Sequence, residues 1–215
     1  MNGARSDDGY TLVEILVAMM LLSLAAAAFY QVLFSGLRGT QTARSVSSIA
    51  QEARLGLNRM VRDTREAQVI EGATDKTFRI KIDFNGDGTY QSPNSAGDHE
   101  IEIYTFDQAQ QVITLGVPGG TPETLATGVA QIPGKNAFSY SSNQLAYDWD
   151  ADGITSWQEL DAAPSHGVSV EVGNGNGQLD YPELSYVSNV GFALRLADRS
   201  RSTDFYAEAQ LRNRR

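Results

Sequence analysis

An α+β fold, one long helix followed by an antiparallel β-sheet, is predicted by three features of this 215-residue sequence. An apolar stretch at residues 9–34, GYTLVEILVAMMLLSLAAAAFYQVLF, passes into a polar stretch with helical periodicity, and the first proline is Pro93. From Phe78 onward apolar residues alternate with polar ones, the two-residue period of strands. The order is helix first and strands after, which predicts a sheet packed on the C-terminal half of the helix.

The apolar stretch is the first element. Residues 15–34 carry no charge and are 20 in number, the length that crosses a hydrocarbon core of about 30 Å. Glu14 stands at their beginning, and a carboxylate in mid-membrane is penalised by roughly 2.5–3.5 kcal/mol, so it calls for a purpose. A secretory signal peptide fits poorly: the preceding segment holds Arg5 against Asp7 and Asp8, whereas such a peptide has a basic start and a shorter apolar core before a small-residue cleavage site. The polar continuation repeats Val46, Ile49, Ala50, Ala53, Leu57, Met60 and Val61 at three- and four-residue spacing. Arg44, Glu52, Arg54, Arg59, Arg62, Asp63, Arg65 and Glu66 occupy mainly the rest of the circumference. A single helix over residues 10–68 would be roughly 90 Å long; Gly36 and Gly39 would loosen it at about 1 kcal/mol each.

The strands follow. Phe78, Ile80, Ile82 and Phe84 share one face of FRIKIDF, and Ile101, Ile103 and Thr105 one face of HEIEIYTF. QQVITLGV is a third strand, ended by Pro118, Gly119 and Gly120, and residues 135–141, 185–196 and 205–211 supply the later ones.

Gly9 followed by Tyr10, Thr11, Leu12, Val13 and Glu14 resembles the N-terminal signature of the type IV pilin-like family, the type IV pilins and the pseudopilins of type II secretion. The resemblance implies that a prepilin peptidase cuts after Gly9 and methylates the new amine on Tyr10. Tyr10 stands where the family usually has Phe, and the leader has little positive charge. RMVRDTREAQVI at residues 59–70 is similar to the helix end of J-type minor pseudopilins and PilW-type minor pilins. LATGVAQIPGKNAFSY, SNVGFALRLADRS and the terminal AQLRNR resemble their later strands. The implied organisation is a leader at residues 1–9, a membrane and assembly half of the helix at 10–34, an amphipathic half at 35–70, and a β-rich pilin-like domain at 71–215 with acidic loops inserted at about 144–184. Arg38 and Arg44 after the apolar stretch against Arg5 before it would not by themselves put the C-terminal bulk outside. The resemblance implies that placement, with the N-terminus at the cytoplasmic face of the inner membrane and the rest periplasmic before entry into a filament.

The inserted segment DWDADGITSWQE, residues 148–159, matches the twelve-residue calcium-loop template. A calcium ion takes six to eight oxygen ligands. Asp148, Asp150 and Asp152 would supply carboxylates and Ile154 its carbonyl. Ser156 would add a hydroxyl or a bridged water, and Glu159 two closing oxygens, while Gly153 permits the turn. The run DxDxDGITxxQE is also similar to the repeats of thrombospondin type 3 modules. Thr155, where helix-loop-helix hands favour an apolar residue, predicts an isolated loop and not a paired domain. Two weaker matches flank it. Asn174, Asn176, Gly177, Asp180 and Glu183 follow the later part of the template, whose first position falls on Val172 with Glu171 one residue out of register. Asp83, Asn85, Asp87 and Gly88 follow the beginning, with Asn94 at the twelfth position. Both also suit plain Gly-Asn turns between strands.

With 26 acidic against 17 basic residues and a net charge of −9, the chain does not look like a nucleic-acid binder. It has no cysteine, hence no disulfide, thiol nucleophile or Cys-ligated zinc. His99 and His166 are its only histidines, and no nucleophile-elbow, phosphate-loop or zinc-protease motif is present. The sequence thus predicts a non-enzymatic minor pseudopilin or minor pilin at or near a filament tip. Its expected partners are other pilins or pseudopilins, prepilin peptidase, the inner-membrane assembly platform and membrane lipid, with calcium as its ion. The rival expectation is a membrane-anchored extracytoplasmic calcium-binding adhesin or carbohydrate-binding module, which needs neither cleavage at Gly9 nor Glu14.

Overall fold

The computed structural model describes residues 11–93, 97–198 and 201–212. Helix α1 is Leu12–Glu66, 55 residues, close to the predicted span. The chain divides into two compact units, Met1–Ser47 and Ser48–Arg215. In the first, Leu12–Arg38 is long and apolar enough to cross a membrane and buries none of its side chains within the chain. Its leucines, methionines, valines and phenylalanines are exposed, as a segment whose solvent is lipid or neighbouring helices requires.

The second unit holds the core. Strands β1 (Val69–Ala73), β2 (Thr77–Lys81), β3 (Ile101–Asp107), β4 (Val112–Gly116) and β5 (Glu123–Thr127) form one antiparallel sheet in sequence order. The second sheet contains β6 (Val129–Gln131), β7 (Phe138–Ser142), β8 (Thr155–Ser156), β9 (Asn189–Asp198) and β10 (Arg201–Gln210), ordered β10-β9-β7-β8 with β6 also pairing β9. The pairings are antiparallel, as expected, but there are two sheets where the sequence suggested one.

Ala53, Leu57 and Met60 of α1 join one core with both sheets, and Ile49, Ala50 and Val61 pack against it. The predicted helix face is therefore the buried one; the side chains of Arg44 and Val46 lie outside the described residues. Gly56 is on the same face: a Cβ there would lie 3.1 Å from the Leu125 carbonyl oxygen, so helix and β5 approach closely because this residue has no side chain. Phe78 stacks on Tyr104 at 4.9 Å and meets Phe138 edge-on at 5.0 Å, tying the two sheets together.

Three expectations are corrected. On β3 the inward residues are Glu102, Tyr104 and Phe106, and Ile101, Ile103 and Thr105 are only half-buried. Apolar residues occupy both phases of this strand, and the aromatic pair decides it because Phe78 lies opposite Tyr104 in register. Phe84 lies beyond the end of β2 and is exposed, whereas Phe78, Ile80 and Ile82 are buried. Asp63, expected on the polar side of the helix, is buried, accepting from Tyr104 Oη at 2.6 Å and Arg62 Nε at 2.9 Å.

Candidate functional site

At the start of α1, Glu14 folds back on Thr11. The Thr11 amide and hydroxyl each donate to Glu14 Oε2 at 3.2 Å, and the Glu14 amide donates to Thr11 Oγ1 at 3.3 Å. This is a reciprocal capping box, which satisfies two of the donors that a helix N-terminus leaves open. The T-x-x-E spacing therefore has a local consequence besides the costly acid: it starts the helix. Exposed apolar side chains flank Glu14, Leu12 and Val13 before it and Ile15 and Leu16 after it. Gly9 and Tyr10, the residues on which cleavage and methylation were expected, lie outside the described residues.

The sequence across this helix start matches the family model for the prokaryotic N-terminal methylation motif over residues 4–30. This is a type IV pilin-like N-terminus. No curated protein and no solved structure matches the chain. Apolar helix and antiparallel sheets are consistent with a pilin-like fold, and the motif is that of structural subunits that prepilin peptidase processes and that assemble with other pilins.

The acidic loops of the chain are the second feature. Asp148, Asp150 and Asp152 each offer a carboxylate oxygen within 4.8 Å of the others. Backbone amides shape the coil: Gly153 donates to Asp148 Oδ2 at 2.9 Å, Asp152 to Asp150 Oδ1 at 3.0 Å, and Ile154 to Asp152 Oδ1 at 2.7 Å. Ala151 and Gly153 take positive φ of 61° and 87°, the left-handed turns that let successive carboxylates converge.

Glu159 reaches the loop from helix α2 (Trp157–Asp161). Its Oε1 accepts from the Trp149 amide at 2.8 Å, and its Oε2 from the Ser156 amide at 2.7 Å and hydroxyl at 2.9 Å, a second capping box. Asp148, Asp150 and Asp152 are thus gathered as expected, while Glu159 Oε2 is engaged with Ser156 and Oε1 with the Trp149 and Asp150 amides. Thr155, at the position that departs from helix-loop-helix hands, is buried in β8 beside β7 and donates to the Gln144 carbonyl at 2.9 Å. The loop is anchored on the sheet edge.

Electrostatics sharpen this picture. The Asp152 amide acts to lower the Asp150 pKa, but burial and the Asp152, Glu159 and Asp148 carboxylates outweigh it, and the net shift is upward. For Glu159 burial acts upward, and the Ser156 and Trp149 donors outweigh it, so its pKa is lowered. The donor set is oxygen throughout, which fits a hard cation. A divalent ion seated there would relieve the repulsion that raises Asp150.

The two weaker matches are also organised coils. Asp83 accepts from the Gly86 amide at 2.6 Å and the Gly88 amide at 3.0 Å, Asn85 from Asp87 at 2.9 Å, and Asp87 from Thr89 at 2.7 Å. Asn94, its twelfth position, lies outside the described residues. In the third coil Asn174 accepts from the Asn176 amide at 3.0 Å, Asn176 from Gln178 at 2.7 Å, and Glu183 from Asn174 at 2.8 Å. Asp180 accepts from the side-chain amides of Asn174 at 2.8 Å and Asn176 at 2.9 Å, which lower its pKa. Glu183, in the short helical turn Glu183–Ser185, is fully buried, and desolvation raises its pKa.

One residue of this coil was not foreseen. Asp161 accepts from the Asn176 amide at 3.0 Å and the Gly177 amide at 2.8 Å. Val172, the template's nominal first position, is instead buried beside Leu160 and Ala163. The signal available in the sequence was only an acid two residues past Glu159.

The histidines have structural partners. His166 stacks on Trp149 at 4.3 Å, and His99 Nδ1 shares a hydrogen bond with Ser92 Oγ at 2.9 Å.

Proposed function

We propose that this chain is a minor subunit of a type II secretion pseudopilus or a type IV pilus, placed at or near the filament tip. The observation that carries the reading is Glu14: one carboxylate at the head of an exposed apolar helix, inside the residues that match the methylation motif. Prepilin peptidase cuts between Gly9 and Tyr10 and methylates the Tyr10 amine. Glu14 then meets the terminal amine of a neighbouring subunit, and each neutralises the other where unpaired charge would be costly. Packing of residues 15–34 against the same segments of other subunits supplies most of the assembly energy, with the β-rich unit outside the cytoplasm. The similarity of residues 59–70 to the helix end of minor subunits supports the minor role.

In this reading residues 148–159 hold calcium through Asp148, Asp150, Asp152, the Ile154 carbonyl, Ser156 and Glu159. Glu159 and Ser156 exchange part of their mutual hydrogen bonding for the ion. Extracellular calcium modules bind at about 0.1–1 mM, so the loop fills outside the cytoplasm.

Mass analysis of the membrane-extracted chain tests the processing. The expected mature chain begins at Tyr10 with one added methyl group, and Gly9→Val leaves the uncut precursor. A chain that keeps residues 1–9, or processing unchanged in Gly9→Val, sinks the reading and favours an anchored adhesin.

A further inference from the structure

Residues 172–183 repeat the hydrogen-bond pattern of residues 148–159, with one position supplied from elsewhere in the chain. In the first loop the position-five and position-six amides, Asp152 and Gly153, donate to the two oxygens of Asp148 at 3.2 and 2.9 Å. In the second loop the corresponding amides, Asn176 and Gly177, donate to the two oxygens of Asp161 at 3.0 and 2.8 Å. The later rungs agree as well: Ile154 to Asp152 at 2.7 Å matches Gln178 to Asn176 at 2.7 Å. At the closing acid, Asp150 to Glu159 at 3.4 Å matches Asn174 to Glu183 at 2.8 Å. Left-handed residues recur at the same two positions, Ala151 and Gly153 in one loop, Gly175 and Gly177 in the other. Asp161 thus stands in the second loop where Asp148 stands in the first, although it belongs to the end of α2, the helix that leaves the first loop.

Gly173 allows this juxtaposition. A Cβ on it would fall 1.8 Å from the Leu160 carbonyl oxygen and 2.8 Å from Asp161 Cα, so only glycine brings the coil close enough for its amides to reach that carboxylate. An independent observation points to a ligand. Glu183 is fully buried, one oxygen is held by the Asn174 amide, and among the described residues Oε2 is buried with no hydrogen-bond partner. A buried carboxylate oxygen without a partner costs free energy unless a proton or a cation meets it.

We infer that Asp161, Asn174, Asn176, the Gln178 carbonyl, Asp180 and Glu183 form a second calcium site, whose first ligand is lent by the helix of the first loop. Three carboxylates, two amide oxygens and a carbonyl are a hard donor set of the required number. The Asn174 and Asn176 side chains now donate their Nδ2 groups to Asp180, and also to the Tyr181 carbonyl in the case of Asn174. The ion takes over that neutralisation, each amide turning to present Oδ1. The identity of the ion rests on reading residues 148–159 as a calcium loop; the ligand set does not.

Calorimetric calcium titration of the full chain in non-ionic detergent micelles, carried to about 10 mM to exceed the weakest extracellular modules, tests the site. Asp161→Asn, which still accepts one amide, is expected to bind one equivalent fewer than the wild type. Asp180→Asn, at a partly exposed position where folding is not at stake, is expected to lose the same equivalent, and Asp150→Asn a different one. If Asp161→Asn and Asp180→Asn bind as many equivalents as the wild type, the inference is overturned. Loss or retention of an equivalent in Asp150→Asn then reports separately on the first loop.

Discussion

Glu14 and Glu102 are both carboxylates set among apolar side chains, and the chain treats them in opposite ways. Glu102 and its neighbour Asp63 are buried beside Tyr104, whose hydroxyl hydrogen is shared between Asp63 at 2.6 Å and Glu102 at 3.1 Å. Arg59 approaches Asp63 at 3.5 Å and Arg62 at 2.9 Å. The fold answers these acids internally. Glu14 has only the first turn of its own helix: among the described residues its hydrogen bonds are to Thr11. A carboxylate answered inside the chain is part of the fold, at a net gain or a net cost; under the proposed function, one left to an external partner serves assembly.

The largest expected effect breaks the external half of this comparison. Glu14→Ala leaves membrane insertion intact, because it makes the segment more apolar, but abolishes or strongly impairs incorporation into the filament. Fractionation of assembled filament against membrane pool measures this, and normal incorporation would place Glu14 with the internally satisfied acids. Its capping role adds about 0.5–2 kcal/mol of helix stability, too little to explain a loss of assembly.

The internal half breaks at Asp63. Asp63→Ala removes the charged acceptor of the buried Tyr104 hydroxyl and the counter-charge of Arg59 and Arg62, whose side chains are themselves partly exposed, and losing such an acceptor costs about 1.5–3 kcal/mol. Denaturant unfolding should show a loss of about 2–3 kcal/mol. A loss under about 1 kcal/mol would mean that solvent reaches the cluster.

An effect of similar size, present only at higher pH, follows from Glu102. Burial first, then the Asp63 charge, push its pKa up to about 7, against the opposing pull of Tyr104, Arg59 and Arg62. Below the ordinary value of 4.5 both folded and unfolded states are protonated and this group is neutral to stability. Between 4.5 and about 7 the folded state holds a proton that the unfolded state has released, so its contribution falls as pH rises. Above that window the full penalty applies, about 3 kcal/mol at 1.36 kcal/mol per unit. Glu102→Gln should match the wild type near pH 4.5 and exceed it by roughly 2–3 kcal/mol at pH 8, the order of that penalty. A pH-independent difference would assign the gain to packing.

Much of this was legible in the sequence, for reasons that differ by region. The helix was legible because its apolar period is long and no proline interrupts it. β2 was legible because its apolar residues, Phe78 and Ile80, fall in one phase. β3 was not, since Ile101 and Ile103 compete with Tyr104 and Phe106, and only the opposing Phe78 settles which pair enters the core. Asp63 was misplaced because a residue's charge does not disclose a buried tyrosine hydroxyl 41 positions away. The first acidic loop could be read from contiguous spacing alone. In the third coil the acid at the first position comes from another element, and a linear template has no means of finding Asp161.

The smallest effect joins the two kinds of acid. The acids of residues 148–159 are held by donors of the chain itself, as Glu102 is by Tyr104, yet their mutual repulsion calls for an external charge, like Glu14. Chelation therefore should not unfold the domain but lower its stability. At calcium about ten times the dissociation constant, one site contributes about 1.4 kcal/mol by mass action. For a unit of this size, chelator should lower the thermal midpoint by roughly 3–6 °C per site. Magnesium should restore less of it than calcium, because its smaller octahedral shell suits a flexible loop of carboxylates poorly. An unchanged midpoint would mean that the amide hydrogen bonds alone hold the coil, which would move these acids fully to the internally satisfied side.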